Sequence, residues 1–327
     1  MKNQCFLLAA GFFALLLTSC APAQKLSNEG GFRPGQKMHY RLTEYTYTQT
    51  SAFENEGMEI PGSTSTQNKI TDLTYTVKRV HPDNSVDLEL MFTHIYDKES
   101  DDQDGETEYD TDNATPDSLI DLSGGSLAGK ALAYNVLINR PFQMKLGPDG
   151  KLVSVKGMNA AWDEMEERFM EESPLAATML KNMKSQFGDE AMTVGQSDYW
   201  SYLPDKPVRV GSKWKKPYQY APLRLSGSTT YTLKSRDNKQ ARLSYITKLE
   251  SDKKNPGVLD MGMIKIRYVL EGSGTGTILL DQPNTTLRRM DQKMTMSGPM
   301  QVKTSLTDWI TVPISITLDS VFERVEK

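Results

Sequence analysis

Cysteine, histidine and long apolar runs are all scarce in this chain. Its 327 residues include two cysteines, Cys5 and Cys20, and three histidines, which is little material for a disulfide framework, a zinc centre or a thiol enzyme. The apolar stretch 5–17 is too short to cross a bilayer, and a mean hydropathy of -0.52 excludes a protein with several spans. The net charge of -4 gives no basic surplus for nucleic acid. We therefore expect no metal site, no cofactor and no nucleic-acid partner.

The N-terminus has the three parts of an export signal. A short basic region precedes the apolar stretch, which ends in the segment Leu17-Thr18-Ser19-Cys20. This segment resembles the bacterial lipobox, in which the cysteine is linked to lipid and becomes the new N-terminus. We predict a signal peptide over 1–19 and a lipidated tether over 20–31. An ordinary secretory signal, cut after Ala21 or Ala23, is the alternative.

Lipidation at Cys20 predicts where the protein resides. Acyl chains such as palmitate on that residue would anchor the protein firmly in a membrane. Ala21 is not the aspartate that would indicate retention at the inner membrane, so we expect the outer membrane. The body would face either the periplasm or the exterior.

Alternating segments rich in Thr, Tyr, Val and Ile dominate the rest of the chain. Residues 73–80 and 86–92 show the period of two that is typical of a strand with one buried face, and 81–84 provides a turn between them. The predicted fold class is α+β, mostly antiparallel β.

Several blocks of the first half recur in the second half, in the same order. The matched pairs are 34–38 with 210–214, 74–78 with 230–234, and 142–152 with 277–287. We predict two related curved β-sheet units over 32–158 and 191–327, although convergent strand composition would give similar matches. The glycines of 272–277 run directly into an apolar strand. They predict a strand that bends or that another group approaches closely.

The segment 159–190 departs from the β pattern and predicts bridging helices. Its apolar residues recur at spacings of three to five, and Pro174 should divide it into two helices. Flexible methionine side chains adapt to ligands of varying shape, so this stripe could line an apolar cavity as well as pack in a core. The candidate ligand-binding residues are Met165, Phe169, Met179, Leu180 and Met183.

Three polar stretches are predicted to be loops. Residues 50–69 and the acidic insert 97–118 are insertions, and ten of the residues between 97 and 117 are acidic. The insert lacks the final bidentate Glu of a calcium loop, so it predicts a solvated loop with weak calcium binding as the alternative. Residues 124–131 approach a phosphate-binding pattern, but Ala131 replaces the required Ser or Thr, which favours a flexible loop.

The sequence contains no recognisable catalytic arrangement. It has no Gly-x-Ser-x-Gly elbow, and His39, His81 and His94 are too scattered to form a motif with a serine or a metal. We therefore predict a protein that is not an enzyme. The densest aromatic group is a candidate sugar-stacking patch or packing at a junction: Tyr199, Trp200, Tyr202 and Trp214.

The lipobox, the strand openings at Gly35 and Gly211, the segment 203–214 and the strands around 274–281 occur together. In combination they resemble an uncharacterised family of Bacteroidetes-type outer-membrane lipoproteins. The resemblance spans nearly the whole chain after Cys20 and implies no assigned activity. A more distant similarity of fold, to periplasmic lipoprotein and lipid carriers, is implied by curved antiparallel sheets with helices on one face.

These features lead to two functional hypotheses. The first is a membrane-anchored, non-catalytic envelope protein that holds an apolar lipid or acyl ligand in a cavity between sheet and helices. The second is a surface accessory protein that binds glycans or proteins through its aromatic residues. The first predicts a cavity, and the second predicts exposed aromatic rings.

Overall fold

The computed structural model describes most of the chain after the predicted signal peptide. The described residues are 23, 25–26, 31–55, 58–102, 105–114, 126–170, 184, 187–220, 223–254, 256–260, 264–282, 285–304 and 308–326. Cys20 and the segment 171–183 lie outside them. Within them, antiparallel strands are the main element, so the predicted fold class is confirmed.

Sixteen strands and three α-helices occur among the described residues. The strands are β1 (Lys37–Thr50), β2 (Phe53–Asn55), β3 (Met58–Ile60), β4 (Thr64–Val80), β5 (Val86–Asp101), β6 (Gly105–Asp110), β7 (Pro141–Leu146), β8 (Leu152–Lys156), β9 (Lys213–Tyr220), β10 (Leu225–Arg236), β11 (Gln240–Glu250), β12 (Val258–Asp260), β13 (Ile264–Tyr268), β14 (Glu271–Asp281), β15 (Thr286–Thr304) and β16 (Ile310–Val325). The helices are α1 (Ser126–Leu137), α2 (Met158–Met170) and α3 (Asp189–Ser197), and a short 3-10 turn covers Thr111–Asn113. None of these helices has the length and hydrophobicity needed to cross a membrane.

Fourteen of the strands form one sheet. Its main path runs β8-β7-β5-β4-β1-β16-β15-β14-β11-β10-β9, with β6, β12 and β13 attached to its sides, and β2 and β3 form a separate hairpin. The last strand, β16, pairs with β1 on one side and β15 on the other. The two predicted units are therefore successive halves of one continuous sheet.

Both halves begin with the same turn. Gly35 and Gly211 adopt φ values of 82° and 89°, a region that costs glycine little because it has no Cβ. The Gly35 N–H donates to Val77 O at 2.8 Å, and the Gly211 N–H donates to Leu233 O at 2.8 Å.

The second strand of each half also carries the same irregularity. The β4–β5 register shifts after Val77, and the β10–β11 register shifts after Leu233, which leaves Lys78 and Lys234 as the extra residues. These are corresponding positions of the repeated Thr-Tyr-Thr segments, so the shared geometry supports the predicted relation between the two halves.

Helix α3 lies between the two edge strands of the sheet. It contacts both β8 and β9, so the sheet must curl to bring these distant strands to one helix. Thr193 Oγ1 accepts a hydrogen bond from the N–H of Val155 on β8 at 2.8 Å, and Asp189 Oδ1 accepts one from the Met158 N–H at 2.8 Å. The helix thus satisfies a backbone donor of the edge strand β8 and one at the N-terminus of α2.

The curled sheet encloses a main core to which both halves contribute. Tyr40 of β1 stacks on Phe322 of β16 with ring centroids 4.7 Å apart, and Tyr75 of β4 meets Trp200 edge to face at 5.2 Å. The Tyr75 hydroxyl donates to Gln196 of α3 at 2.6 Å, which links the helix to the inner face. A second cluster of buried residues lies on β9–β11, β15 and β16, together with Leu270 just before β14.

Two of the segments predicted as loops contain strands instead. Residues 50–69 include the β2–β3 hairpin and the start of β4, and the acidic insert continues β5 and returns as β6. Lys98 opposes Glu108 and pairs with Glu106 across this hairpin at 2.8 Å. Cross-strand pairing of the backbone therefore outweighs the acidic character of the insert that favoured a loop.

The structure also differs from two further predictions, the flexible loop at 124–131 and the tether over 20–31. Residues from Ser126 onward form α1, because Leu132, Val136 and Leu137 bury themselves in the main core where a polar loop could not. Leu26 of the predicted tether is 2 % exposed and belongs to the same core. The chain is therefore docked on the sheet only a few residues after Cys20.

Candidate ligand-binding interior

One row of inward-facing residues crosses the whole curled sheet, and we call it the middle row. Its members are direct cross-strand partners on successive strands. From β5 to β9 they are Asp97, Lys69, Glu44, Ser320, Gln292, Gly276, Tyr245, Tyr231 and Trp214. On one side of it lies the main core, which begins with the apolar row that contains Leu42, Phe322 and Ile278. The middle row therefore brings polar and titratable groups into the interior.

The first half of the middle row is covered by helix α1. The hydroxyl of Tyr134 on this helix donates to Asp97 Oδ2 at 2.6 Å, and Gln67 Nε2 donates to Asp97 Oδ1 at 2.9 Å. Burial raises the pKa of Tyr134, and the neighbouring carboxylate of Asp97 raises it further. The ammonium of Lys69 lies 4.9 Å from the centroid of the Tyr134 ring. Helix α1 therefore closes this part of the interior with a satisfied polar network.

Glu44 lies at the centre of the row. Burial raises the pKa of its carboxyl, Lys69 on the next strand lowers it, and Asp97 raises it. Its side chain is only partly buried, so water still reaches it in the interior. Beside it on β16 is Ser320, at the point where the inner face changes from polar to apolar.

Beyond the middle row, away from the main core, the two halves of the inner face differ. In the first half the inward residues are polar, including Gln67, Thr46 and Thr48. In the second half, β9–β11 contribute the buried polar residues Lys216, Thr229 and Thr247, whereas the inward residues of β15 and β16 are apolar and buried. We call the surface formed by β15 and β16 the methionine wall. It consists of Met294, Met296, Ile314, Ile316 and Leu318.

Glycines of β14 lie beneath the methionine side chains. A Cβ added at Gly272 would be 2.6 Å from Met296 Cγ, and one added at Gly274 would be 3.5 Å from Met294 Cε. The methionines therefore occupy the space that side chains on β14 would fill. Because methionine rotates readily, this wall can change shape at low cost.

The third inward glycine of β14 accommodates an aromatic ring. A Cβ at Gly276 would be 2.4 Å from Cζ of Tyr245, whose hydroxyl donates to Asp291 O at 3.1 Å. The prediction of a closely approached strand at 272–277 is thus confirmed. The close neighbours are side chains and backbone of the protein itself.

A second carboxyl lies in the interior at the end of α3. Burial raises the pKa of Asp198 to about 8, while a hydrogen bond with the Tyr218 hydroxyl works against this shift. Near neutral pH the group is therefore largely protonated and uncharged. Tyr218 belongs to the same buried cluster as the methionine wall, so Asp198 adds no net charge beside it at that pH.

A pocket opens where α3 approaches β9 and β10. Its volume is about 340 Å³, and Ala191, Val194, Tyr220 and Leu225 give it an apolar lining. Leu225 belongs to the buried cluster of the methionine wall, and Tyr220 packs against that cluster. The lining also includes Glu190 and Arg224, one charge of each sign. This pocket lies at the seam of the sheet, and through Leu225 it adjoins the buried cluster that contains the methionine wall.

The structure places only part of the predicted ligand-binding set. Met165 on α2 is 2 % exposed and packs in the main core. Phe169 belongs to α2, but its side chain lies outside the described residues, as do Met179, Leu180 and Met183. The predicted lipidation site, Cys20, is also outside them.

The four aromatic residues of the predicted patch lie in the interior. Trp200 and Tyr202 are buried, while Tyr199 and Trp214 are partly buried against the main core. Trp214 stacks on Tyr231 with centroids 5.8 Å apart and donates to Tyr202 O at 2.9 Å. Their rings pack against protein side chains at the junction, and only Tyr199 and Trp214 remain partly exposed.

Sequence reasoning missed a cluster on the outer face of the first half. His94 Nε2 lies 3.0 Å from Asp110 Oδ1 and 3.9 Å from Asp112 Oδ2. The Asp112 N–H, and secondarily His94, lower the pKa of Asp110. The spacing between residue 94 and residues 110 and 112 matches no known motif. Only the pairing of β5 with β6 brings these residues together.

The sequence profile described as "Family of unknown function (DUF6263)" matches residues 83–287, which is more than half of the chain. The chain belongs to this family. The matched region of this DUF6263 protein begins in the turn before β5 and ends at the start of β15. No curated protein matches the chain.

Similar solved structures include lipovitellin, from a structure titled for lipid–protein interactions, and an outer membrane channel from Pseudomonas putida F1. Lipovitellin matches with a TM-score of 0.41 and 10% identity over 90% of this chain, which spans 25% of the lipovitellin chain. The channel matches with a TM-score of 0.23 and 7% identity over 90% of this chain and 97% of its own. At these scores the matches indicate no shared function.

Proposed function

We propose that this DUF6263 protein is a non-catalytic binding protein that holds an apolar chain, such as an acyl chain of a lipid, against the methionine wall. The observation that carries the proposal is the division of the inner face beyond the middle row. There the first half is polar, whereas β15 and β16 of the second half are apolar and place two methionines over the glycines of β14. Methionine side chains can adapt to apolar ligands of varying shape.

The pocket between α3 and the β9–β10 edge supports this proposal. Its lining includes Leu225, which belongs to the same buried cluster as the methionine wall, so a chain entering there would contact apolar groups beside that cluster. Arg224 at the same pocket suits an anionic head group, although Glu190 in the lining disfavours a highly charged one. The ligand class that fits is therefore an amphiphile with one long apolar chain and a small polar end.

Membrane anchoring through lipidated Cys20 is part of the same proposal. Leu26 is docked in the core, and at most about 3.6 Å of chain is available per extended residue between it and Cys20. An anchored protein would therefore stay within roughly 20 Å of the membrane surface. Such proximity suits a protein that receives its ligand from the envelope, most simply at the outer membrane.

The test is denaturing lipid mass spectrometry of residues 21–327, expressed without the signal and Cys20 and purified without detergent. The proposal expects an acyl-containing molecule close to one per chain, since the apolar surface would retain its ligand through purification. A folded protein that is free of lipid under these conditions would count against it. The search would then turn to glycan or protein partners on the outer face.

A further inference from the structure

We propose that His94, Asp110 and Asp112 form a binding site for one divalent transition metal ion such as Zn²⁺. The three side chains offer one nitrogen and two oxygen ligands, and their ligand atoms all lie within 4.8 Å of one another. All three face outward from the β5–β6 hairpin and the turn that follows it. The site is therefore separate from the proposed interior ligand site.

Two of the three separations between ligand atoms lie close to the value for a tetrahedral ion. Metal–ligand bonds of about 2.0–2.2 Å place neighbouring ligand atoms about 3.4 Å apart. The observed separations from His94 Nε2, 3.0 Å to Asp110 and 3.9 Å to Asp112, lie on either side of this value. A hydrogen bond from His94 Nε2 can reach only the Asp110 carboxylate, whereas an ion bound between the three groups would contact both carboxylates.

Local structure holds the ligands in place. The β4–β5 register shifts between the pairs Asp72–His94 and Leu73–Phe92, so an extra residue, Thr93, precedes the histidine. Asp110 Oδ1 accepts the Asp112 N–H at 2.9 Å, and Thr111 Oγ1 accepts the Ile95 N–H at 2.8 Å. The turn that carries both carboxylates is thus fixed to the strand that carries the imidazole.

A further carboxylate lies on the other side of the imidazole. Asp72 Oδ2 is 3.8 Å from His94 Nδ1, and Arg41 donates one 2.7 Å hydrogen bond to each of the two carboxylate oxygens of Asp72. Carboxylates in this position commonly orient a metal-binding histidine. The imidazole ligand favours a transition metal over Ca²⁺ or Mg²⁺, which prefer sites made of oxygen alone.

The test is calorimetric titration of the full-length chain, purified in dodecyl maltoside and stripped with a chelator, with Zn²⁺. We expect one saturable site. Both His94→Asn and Asp112→Asn should weaken it at least about tenfold. His81→Asn is the matched control, because His81 pairs with the single carboxylate of Asp87 at 2.8 Å; its affinity should stay within about twofold of the wild type.

Asp112 is 73% exposed, so its variant keeps the test informative if His94→Asn fails to fold. Two outcomes would overturn the proposal. One is the absence of saturable Zn²⁺ binding by the wild type. The other is unchanged affinity in a folded variant at His94 or Asp112. Ca²⁺ binding that survives His94→Asn would instead indicate a site made of carboxylates in the acidic insert.

Discussion

Asp198 shows how the interior modifies a single residue. The sequence places it just before the Tyr199–Tyr202 aromatic segment, where nothing distinguishes it from a surface aspartate. In the fold it lies at the end of α3 beside Tyr218, and burial raises the pKa of its carboxyl to about 8. A protonated carboxyl can donate a hydrogen bond inside an apolar cluster without the cost of a buried charge.

This pKa makes stability depend on pH in a defined direction. Between about pH 4 and pH 8 the unfolded chain ionises Asp198 while the folded chain keeps it protonated, so the unfolded state binds fewer protons and stability falls as pH rises. Asp198→Asn removes this loss of stability, because the amide does not titrate. We expect the variant to be more stable than the wild type at pH 8, by on the order of 2 kcal/mol, with the difference shrinking toward pH 4.

Thermal unfolding across this pH range measures the effect. Asp237→Asn is the control: Asp237 accepts hydrogen bonds from the N–H groups of Gln240 and Lys239, which lower its pKa. The Asp237 carboxylate stabilises the fold fully at every pH above its pKa in the unfolded chain. The effect of Asp237→Asn on the free energy of unfolding should therefore be constant from pH 5 to pH 8. A constant difference for Asp198→Asn as well would show that its carboxyl is ionised in the fold.

Among the elements, the strands were the easiest to predict and the functional contacts the hardest. Period-two alternation identified β4 and β5, because their inward residues meet a core and their outward residues meet water. Helix α1 was missed because the Gly- and Ser-rich start of its segment resembles a loop, whereas tertiary packing of Leu132 and Val136 stabilises the helix. The hairpin of the acidic insert was missed for a similar reason, since its backbone pairing lies beyond local sequence.

The repeated turns at Gly35 and Gly211 give a prediction at this scale. Nothing lies within 4 Å of a Cβ built at either glycine, so substitution by alanine costs only the left-handed backbone conformation. Gly35→Ala and Gly211→Ala should each reduce the free energy of unfolding by about 1–2 kcal/mol, and by similar amounts.

Denaturant unfolding of both variants would measure these costs. Gly195→Ala is the control, because Gly195 lies in α3 with open space around it, and alanine there should be neutral or stabilising by up to about 1 kcal/mol. A large loss for one turn glycine and none for the other would show that the two turns are not equivalent.

At the scale of the whole molecule, the repeat was visible in the sequence but its arrangement was not. The matched blocks predicted two related units, yet the pairing of β16 with both β1 and β15, which makes one sheet of them, depends on contacts across the full chain length. The methionine wall was not predicted, because the position of the β15 methionines over the glycines of β14 follows from register.

The proposed function depends on the methionine wall being the surface that contacts the ligand. Met294 on β15 faces inward and is fully buried, whereas its neighbour Lys293 is exposed on the outer face. Glutamine is close to methionine in size, so Met294→Gln changes polarity with little change in volume. Lys293→Gln introduces the same residue one position away, on the opposite face.

The most direct measurement is therefore the affinity of a dansyl-labelled undecanoic acid for residues 21–327 of the wild type and of these two variants, with near-UV circular dichroism to confirm that each is folded. The proposed function predicts saturable binding by the wild type. Met294→Gln should weaken this binding at least about fivefold, since an apolar chain would then face a buried amide. Lys293→Gln should bind like the wild type. Equal affinity in all three folded proteins, or no saturable binding by the wild type, would contradict it.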